Sequence, residues 1–199
     1  MKHIDKTQHL LPLGYLYLVV LGILKETAIF YQLDINILKY SSIMDVLISP
    51  IATATSNPVV FITIVAVFIF SYHLPSIIYK NDHKKWVQKA FELKKTKAET
   101  EDSEIKNYYL LISTRFLATF LLSIYLGYGS AEGYITSKKI KENKLHCDYK
   151  LNFNTGESED VFLVESNSLY YFYVAKGEKH LKIAPISGIK NLVVIKNKK

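Results

Sequence analysis

The sequence predicts an α-helical membrane bundle of three spans, with a fourth left open, followed by a small C-terminal antiparallel β domain. Three observations predict it. Residues 10–24 and 59–79 carry no charged side chain and 108–129 carries one. Mean hydropathy is +0.10 although 22% of the residues are charged, so the charges crowd elsewhere, into 80–107 and the tail. After residue 145 the pattern changes to short apolar and aromatic runs separated by Gly- and Asn-containing breaks. A disordered chain and a simple soluble globule do not fit this distribution. A disulfide scaffold is excluded, because one Cys cannot form an internal bridge.

A helix crosses the hydrocarbon core with about 20 mostly apolar residues. Residues 10–32, 59–79 and 108–128 meet that requirement. The first could be a signal peptide, but no A-x-A-like cleavage site follows its apolar core and the chain continues with Lys25-Glu26-Thr27. Residues 33–58 carry only Asp34, Lys39 and Asp45. Their semi-apolar stretch 41–49 reads as a short interfacial or re-entrant helix stopped by Pro50 and Pro58, or less simply as the fourth span. Residues 80–107 lack Gly and Pro. They are expected to continue the second span as a helix, turn near 98–103 and return as the third. Residues 129–144 read as a helical extension with a bend at Gly129 or Gly133. Five short strands are expected at 145–153, 161–166, 169–175, 179–184 and 192–196, since the intervening Gly and Asn tolerate turn conformations. These form a small sheet or half-barrel. About 55 residues make a marginal core, so this domain is expected to pack on copies of itself or on the membrane-proximal helix. The aromatic run 169–174 reads as a strand buried on both faces, against the alternative of an exposed binding edge. The division drawn from sequence is a helical membrane domain over 1–136, with a cytosolic hairpin at 80–107, and a β domain over 137–199.

Basic residues near span ends favour the cytoplasm. Lys2 and Lys6, and Lys80, Lys84, Lys85 and Lys89, place the N-terminus and the hairpin inside. Three spans then put the β domain outside, in the periplasm of a bacterial inner-membrane protein. Lys138, Lys139, Lys141 and Lys144 argue against this, since they alone would place the tail inside.

Polar residues within spans carry the most information, because they are costly there and default to functional or interhelical roles. Arg115, the only Arg, lies about 10 Å into the third span. His73, Tyr15 and Tyr17 fall at about 8–10 Å from the same face, so the four are candidates for one intramembrane polar site. Snorkelling of Arg115 to headgroups is the plainer reading. Lys25 and Glu26 form a second polar point about 23 Å along the first span. Neighbouring helical residues point about 100° apart, so Lys25 is expected to reach water and Glu26 to meet Thr63, Ser123 or Tyr125. Alternatively the apolar span ends at Leu24. Thr119, Ser123, Gly127 and Ala131 follow Arg115 at intervals of four and form a candidate helix-packing seam, which could face the axis of an oligomer. Lys84, Lys85, Trp86 and Lys89 are candidate docking residues for a cytosolic protein, with anionic headgroups as the other reading.

The chain has no phosphate-binding loop, dinucleotide fingerprint, H-E-x-x-H or C-x-x-C. No catalytic residues, metal ligands or cofactors are therefore assigned. The adjacent His146, Cys147 and Asp148 would alternate faces in a strand and make a poor metal site. The net charge of +7 is spread over both membrane sides rather than focused, which argues against direct nucleic-acid binding.

The overall plan, with GYLYLVVLGILKE and YSSIMDVLISP in the first span and linker, resembles the membrane subunit of the Kiwa anti-phage defence system. That resemblance implies a membrane sensor paired with a cytosolic effector, and carries over no functional residues. The leading expectation is a non-enzymatic homo-oligomer, expected as a tetramer, that couples an exposed β domain to a cytosolic partner. The alternative is a small ion channel or membrane-permeabilising effector gated by its soluble domain, with Arg115, Thr119 and Ser123 along the path. A lipid-modifying enzyme would need Glu26 and His73 as an acid/base pair, and these lie at different depths.

Overall fold

The computed structural model describes residues 10–98 and 101–195. It contains three helices long and apolar enough to cross a membrane and a C-terminal five-stranded antiparallel sheet. Helix α1 spans Leu10–Tyr31, α2 Ile43–Ser56, α3 Pro58–Asn81, α4 Lys85–Ala90 and α5 Asp102–Lys141. Strands β1 to β5 follow at Tyr149–Phe153, Ser158–Ser166, Tyr170–Ala175, Lys182–Pro185 and Ile189–Val194. Single-turn 3-10 helices lie at Ile37–Lys39 and Ile186–Gly188. The chain forms two compact units, one of 10–51 with 125–195 and the other of 52–124. The boundary expected at 136/137 falls inside α5.

Several local expectations are corrected. The first helix itself does not stop at Leu24, since α1 continues to Tyr31. Pro50 does not stop the linker helix but lies inside α2, and Pro58 opens α3 behind the N-cap Asn57, whose side chain accepts from the Val59 and Val60 N–H groups. Proline suits the first turn of a helix because the N–H it lacks would have no helical partner there. At 14 residues α2 is about 21 Å long, too short for a fourth span. The hairpin is not a continuation of α3. The helix ends at Asn81 with Asp82 as C-cap, and α4 is a separate six-residue helix. Residues 129–141 belong to one helix that begins at Asp102. At 40 residues α5 is about 60 Å long, twice a bilayer core, so its charged ends must extend beyond the lipid.

Two internal prolines are met by neighbouring helices. A helical Pro leaves the carbonyl four residues earlier without its donor. Pro75 in α3 frees the Ser71 carbonyl, and the Ser113 hydroxyl of α5 donates to it. Pro50 in α2 frees the Val46 carbonyl, which lies against Gly22 of α1 where a Cβ would otherwise stand. In lipid the freed Ser71 carbonyl needs such a donor, because no water is there to supply one.

The second unit has its apolar core in Leu74, Ile78, Val87, Ile105 and Tyr109. Val87 anchors α4 to this core. The buried Asp82 carboxylate organises the loop around it, accepting from the Lys97 backbone N–H at 2.7 Å and the Tyr109 hydroxyl at 2.8 Å. Burial pushes this carboxyl up, but those two bonds and the Lys97 and His83 charges outweigh it and hold it below the ordinary value. These bonds are why the chain leaves the helical path at 82.

In the first unit the strand order is β4-β3-β2-β1-β5, all neighbours antiparallel. Residues 185 to 189 can span at most about 14 Å. A flat sheet would hold its two edge strands about 19 Å apart. The sheet must therefore curl into a partly closed barrel. One face carries its own core of Leu151, Val161, Tyr173, Ala175 and Ala184. The other presents Phe172 to Ile29, Phe30 and Ile37. Strand β3 is buried on both faces from Phe172 to Ala175, and the domain is packed on the end of a membrane helix.

Helices α1 and α5 meet through glycine. A Cβ on Gly129 would stand 2.6 Å from the Lys25 carbonyl oxygen, and one on Gly133 2.5 Å from that of Ile29. These glycines are contact points rather than bends. Nothing lies within 4 Å of a Cβ at Gly127 or Gly14. Gly133→Ala is therefore expected to cost about 1–3 kcal/mol by forcing two backbones apart, whereas Gly127→Ala should be neutral or slightly stabilising. Thermal unfolding of both variants in detergent checks this contrast.

Candidate functional site

The polar point at Lys25 and Glu26 becomes a buried cluster. Both residues are at most 7% exposed although they lie in an apolar helix. The Lys25 ammonium is 2.9 Å from Glu26 Oε1 and 3.0 Å from Ser49 Oγ, and the Ser49 hydroxyl donates to Glu26 Oε1. Adjacent residues pair here because their long side chains converge on Ser49, which α2 carries past α1. This corrects the expectation that Lys25 reaches water and Glu26 meets Thr63, Ser123 or Tyr125. Thr63 and Ser123 bond carbonyls one turn back on their own helices, and the Tyr125 hydroxyl donates to the Pro50 carbonyl at 2.8 Å. Tyr125 thereby fixes α2 to α5 beside the cluster.

The β domain closes over this end of α1. Phe30 and Phe172 pack edge to face at 5.0 Å between centroids, and Tyr40 and Tyr170 at 5.6 Å. The linker adds polar ties. Ser42 and Asp45 form a reciprocal capping box at the start of α2, with Ser42 Oγ accepting from the Asp45 N–H and Asp45 Oδ2 accepting from the Ser42 N–H. Asp45 also accepts from the backbone N–H and hydroxyl of Ser168, both at 3.0 Å. Burial raises the Asp45 carboxyl, and the Ser42 and Ser168 bonds overcome this and lower it. Asn167 donates to the Tyr40 carbonyl and accepts from the Leu169 and Tyr170 N–H groups, shaping the β2–β3 turn for the contact.

Glu165 on β2 senses the same cluster. It follows an irregularity in the β2–β3 register between Leu163 and Glu165. Its carboxyl is pushed up to about 7, chiefly by burial. Lys25 pulls it down, while the charges of Glu26 on α1 and Glu132 on α5 push it further up. Of these charges only Lys25 and Glu26 form an ion pair, at 2.9 Å. The hydrogen-bonded part of the cluster is Lys25, Glu26 and Ser49, a hydroxyl held between an ammonium and a carboxylate.

The other candidates are placed differently. Arg115 and His73 are both exposed in the second unit, with no hydrogen bond or ion pair between them. His73 packs edge-on to Tyr72 at 5.2 Å. Tyr15 is exposed and Tyr17 half-buried on α1, in the first unit. Thr119, Ser123, Gly127 and Ala131 are all exposed, so they are not the seam within the protomer. That seam is the opposite face of α5, with Tyr125, Gly129 and Gly133 buried. Lys84, Lys85, Trp86 and Lys89 are exposed on and beside α4. Among the described residues no group of three or more His, Cys, Asp or Glu is placed to hold a metal ion. The Cys147 thiol is pushed up by burial and by Asp160 and Asp148, unlike a reactive thiolate.

Sequence reasoning passed over Ser49, Glu132, Glu165 and Asp82. It also passed over two legible signals. Gly129-Ser-Ala-Glu-Gly133 is a GxxxG spacing, and Ser42-Ile-Met-Asp45 is a capping-box pattern. No protein-family model, curated protein or solved structure matches this chain.

Proposed function

We propose that the chain is a non-enzymatic bacterial inner-membrane protein, assembled as a homo-oligomer, that couples an outward-facing β domain to a cytosolic partner. One observation carries this reading: the β domain sits on the end of a membrane helix through the Phe30–Phe172 contact and the Asp45–Ser168 bonds, beside a buried charged cluster. A domain held in this way can bias the helices beneath it. Helix α5 runs without interruption from Asp102 to Lys141. The exposed Lys84, Lys85, Trp86 and Lys89 supply the cytosolic docking surface. The exposed row Thr119, Ser123, Gly127 and Ala131 supplies a surface on which copies could associate closely. The resemblance in plan to the Kiwa membrane subunit points to anti-phage defence as the setting.

The test loosens the β domain gently and reads the distant hairpin. Asp45→Asn weakens the tie to Ser168. Amide exchange of the variant in nanodiscs is expected to rise both in 167–172 and in 84–104. Exchange confined to 167–172, with 84–104 as in the wild type, would remove the coupling. The same open row also favours a second reading, an ion path at a symmetry axis headed by Arg115. Ion flux in liposomes that is abolished by Arg115→Ala would select that reading.

A further inference from the structure

We propose that Lys138, Lys139, Lys141 and Lys144, at the end of α5, form a binding surface for anionic phospholipid headgroups on the β-domain side of the membrane. The inference rests on α1 and α5 crossing the bilayer. It goes beyond the coupling reading, does not depend on it, and gives a task to lysines which that reading leaves idle.

The height of the cluster follows from the glycine contacts. Gly129 lies against Lys25 and Gly133 against Ile29, so α1 and α5 advance together and run parallel. Ile29 is close to the end of α1 at Tyr31. Tyr31 and Tyr134, 75% and 60% exposed, therefore stand within about 2 Å of the same height. Exposed aromatic rings at one level suit the boundary between hydrocarbon and headgroups. Ile135 is exposed beside Tyr134. Lys138, Lys139 and Lys141 follow at about 6–11 Å above Tyr134. The headgroup layer is about 5–8 Å thick on each side of the bilayer. Side chains of a helix tilt toward its N-terminus. The N-terminus of α5 lies across the membrane, so these lysines lean back toward the lipid, and their long stems let the ammoniums settle among headgroups.

The charge is complementary. All four lysines are exposed. The one carboxylate among residues 138–144 is Glu142, 2.7 Å from Lys144 and 4.0 Å from Lys138. Four lysines less one glutamate leave a net charge of +3. Among the described residues Lys139 and Lys141 make no ion pair. Each lysine held near an anionic surface adds attraction, and salt screens it. A basic last turn also suits the negative end of a helix, but that effect needs no exposed Tyr134 and Ile135 beneath it.

The experiment reads lipid preference at this height. In the full chain, Trp86→Phe removes the only native Trp, and Tyr134→Trp places a reporter below the lysines. Reconstitution into bilayers of phosphatidylglycerol and phosphatidylcholine, with one or the other brominated in its acyl chains, gives their relative affinity from the quenching. Phosphatidylglycerol is expected to be favoured by about tenfold at low salt. The preference should fall toward unity when all four lysines are replaced by Gln, and in about 1 M salt. Glu142→Gln, which frees Lys138 and Lys144, should strengthen it. Equal affinity for the two lipids, a preference undiminished by the four Lys→Gln changes, or one unchanged or weakened by Glu142→Gln would overturn the proposal and leave these lysines as a solvated helix end. Quenching by neither lipid would overturn it together with the membrane placement of α5. The coupling reading is tested separately by exchange of 84–104 in Asp45→Asn.

Discussion

Phe172→Ala is expected to lower the stability of the first unit by about 3–5 kcal/mol. The ring is fully buried, packs edge to face with Phe30 at 5.0 Å and lies 6.1 Å from Tyr40. Truncation removes its buried area and leaves a cavity between the sheet and α1. Neither side can close that cavity easily, because β3 is pinned by hydrogen bonds to β2 and β4 and α1 by its glycine contacts with α5. Phe172→Leu keeps most of the volume and should cost about 1.5 kcal/mol or less. Chemical unfolding in detergent, followed by circular dichroism, measures both. If the two variants lost equal stability, packing at this contact would not be what holds the domain.

Lys25→Met is expected to cost a comparable amount, about 3–5 kcal/mol. It leaves the Glu26 carboxylate buried with Ser49 as its hydrogen-bond donor and no counter-ion. The loss is mainly the uncompensated charge rather than the value of the bond. The double variant Lys25→Met/Glu26→Gln should therefore be more stable than Lys25→Met alone, since it removes the stranded charge as well. Unfolding of the two single variants and the double variant forms a cycle that separates these contributions. If Lys25→Met unfolded like the wild type, the pair would be reached by water, and the buried cluster at the foot of the β domain would lose its meaning.

The helices and the sheet were legible because each depends on pattern along the chain. Residues 59–79 announce a span by length and absence of charge, and the alternation of short apolar runs with Gly and Asn after 145 announces strands. Boundaries set by long-range contacts were not legible. The break after Asn81 depends on Asp82 finding Tyr109 and the Lys97 N–H, respectively 27 and 15 residues further on. Pro50 reads locally as a helix stop, yet α2 passes through it because Gly22 leaves room for the carbonyl that the proline frees. Lys25 and Glu26 stood out as charges in an apolar segment. Their partner Ser49 did not, because a serine in a semi-apolar stretch carries no signal of its own, and neither did Glu165, which looks like an outward-facing strand residue. The spacing of four that singled out Thr119, Ser123, Gly127 and Ala131 was a true feature of α5, but the packed face was the one carrying Gly129 and Gly133.

The central proposal is that α1, α3 and α5 each cross the membrane, so that α4 and the β domain are reached from opposite sides of it. In a Cys147→Ser background, Trp86→Cys and Lys179→Cys each place one thiol at a position exposed in the structure. A membrane-impermeant maleimide applied to intact spheroplasts is expected to label Lys179→Cys at once and Trp86→Cys only after the membrane is opened. Equal labelling of the two in intact spheroplasts would contradict the account.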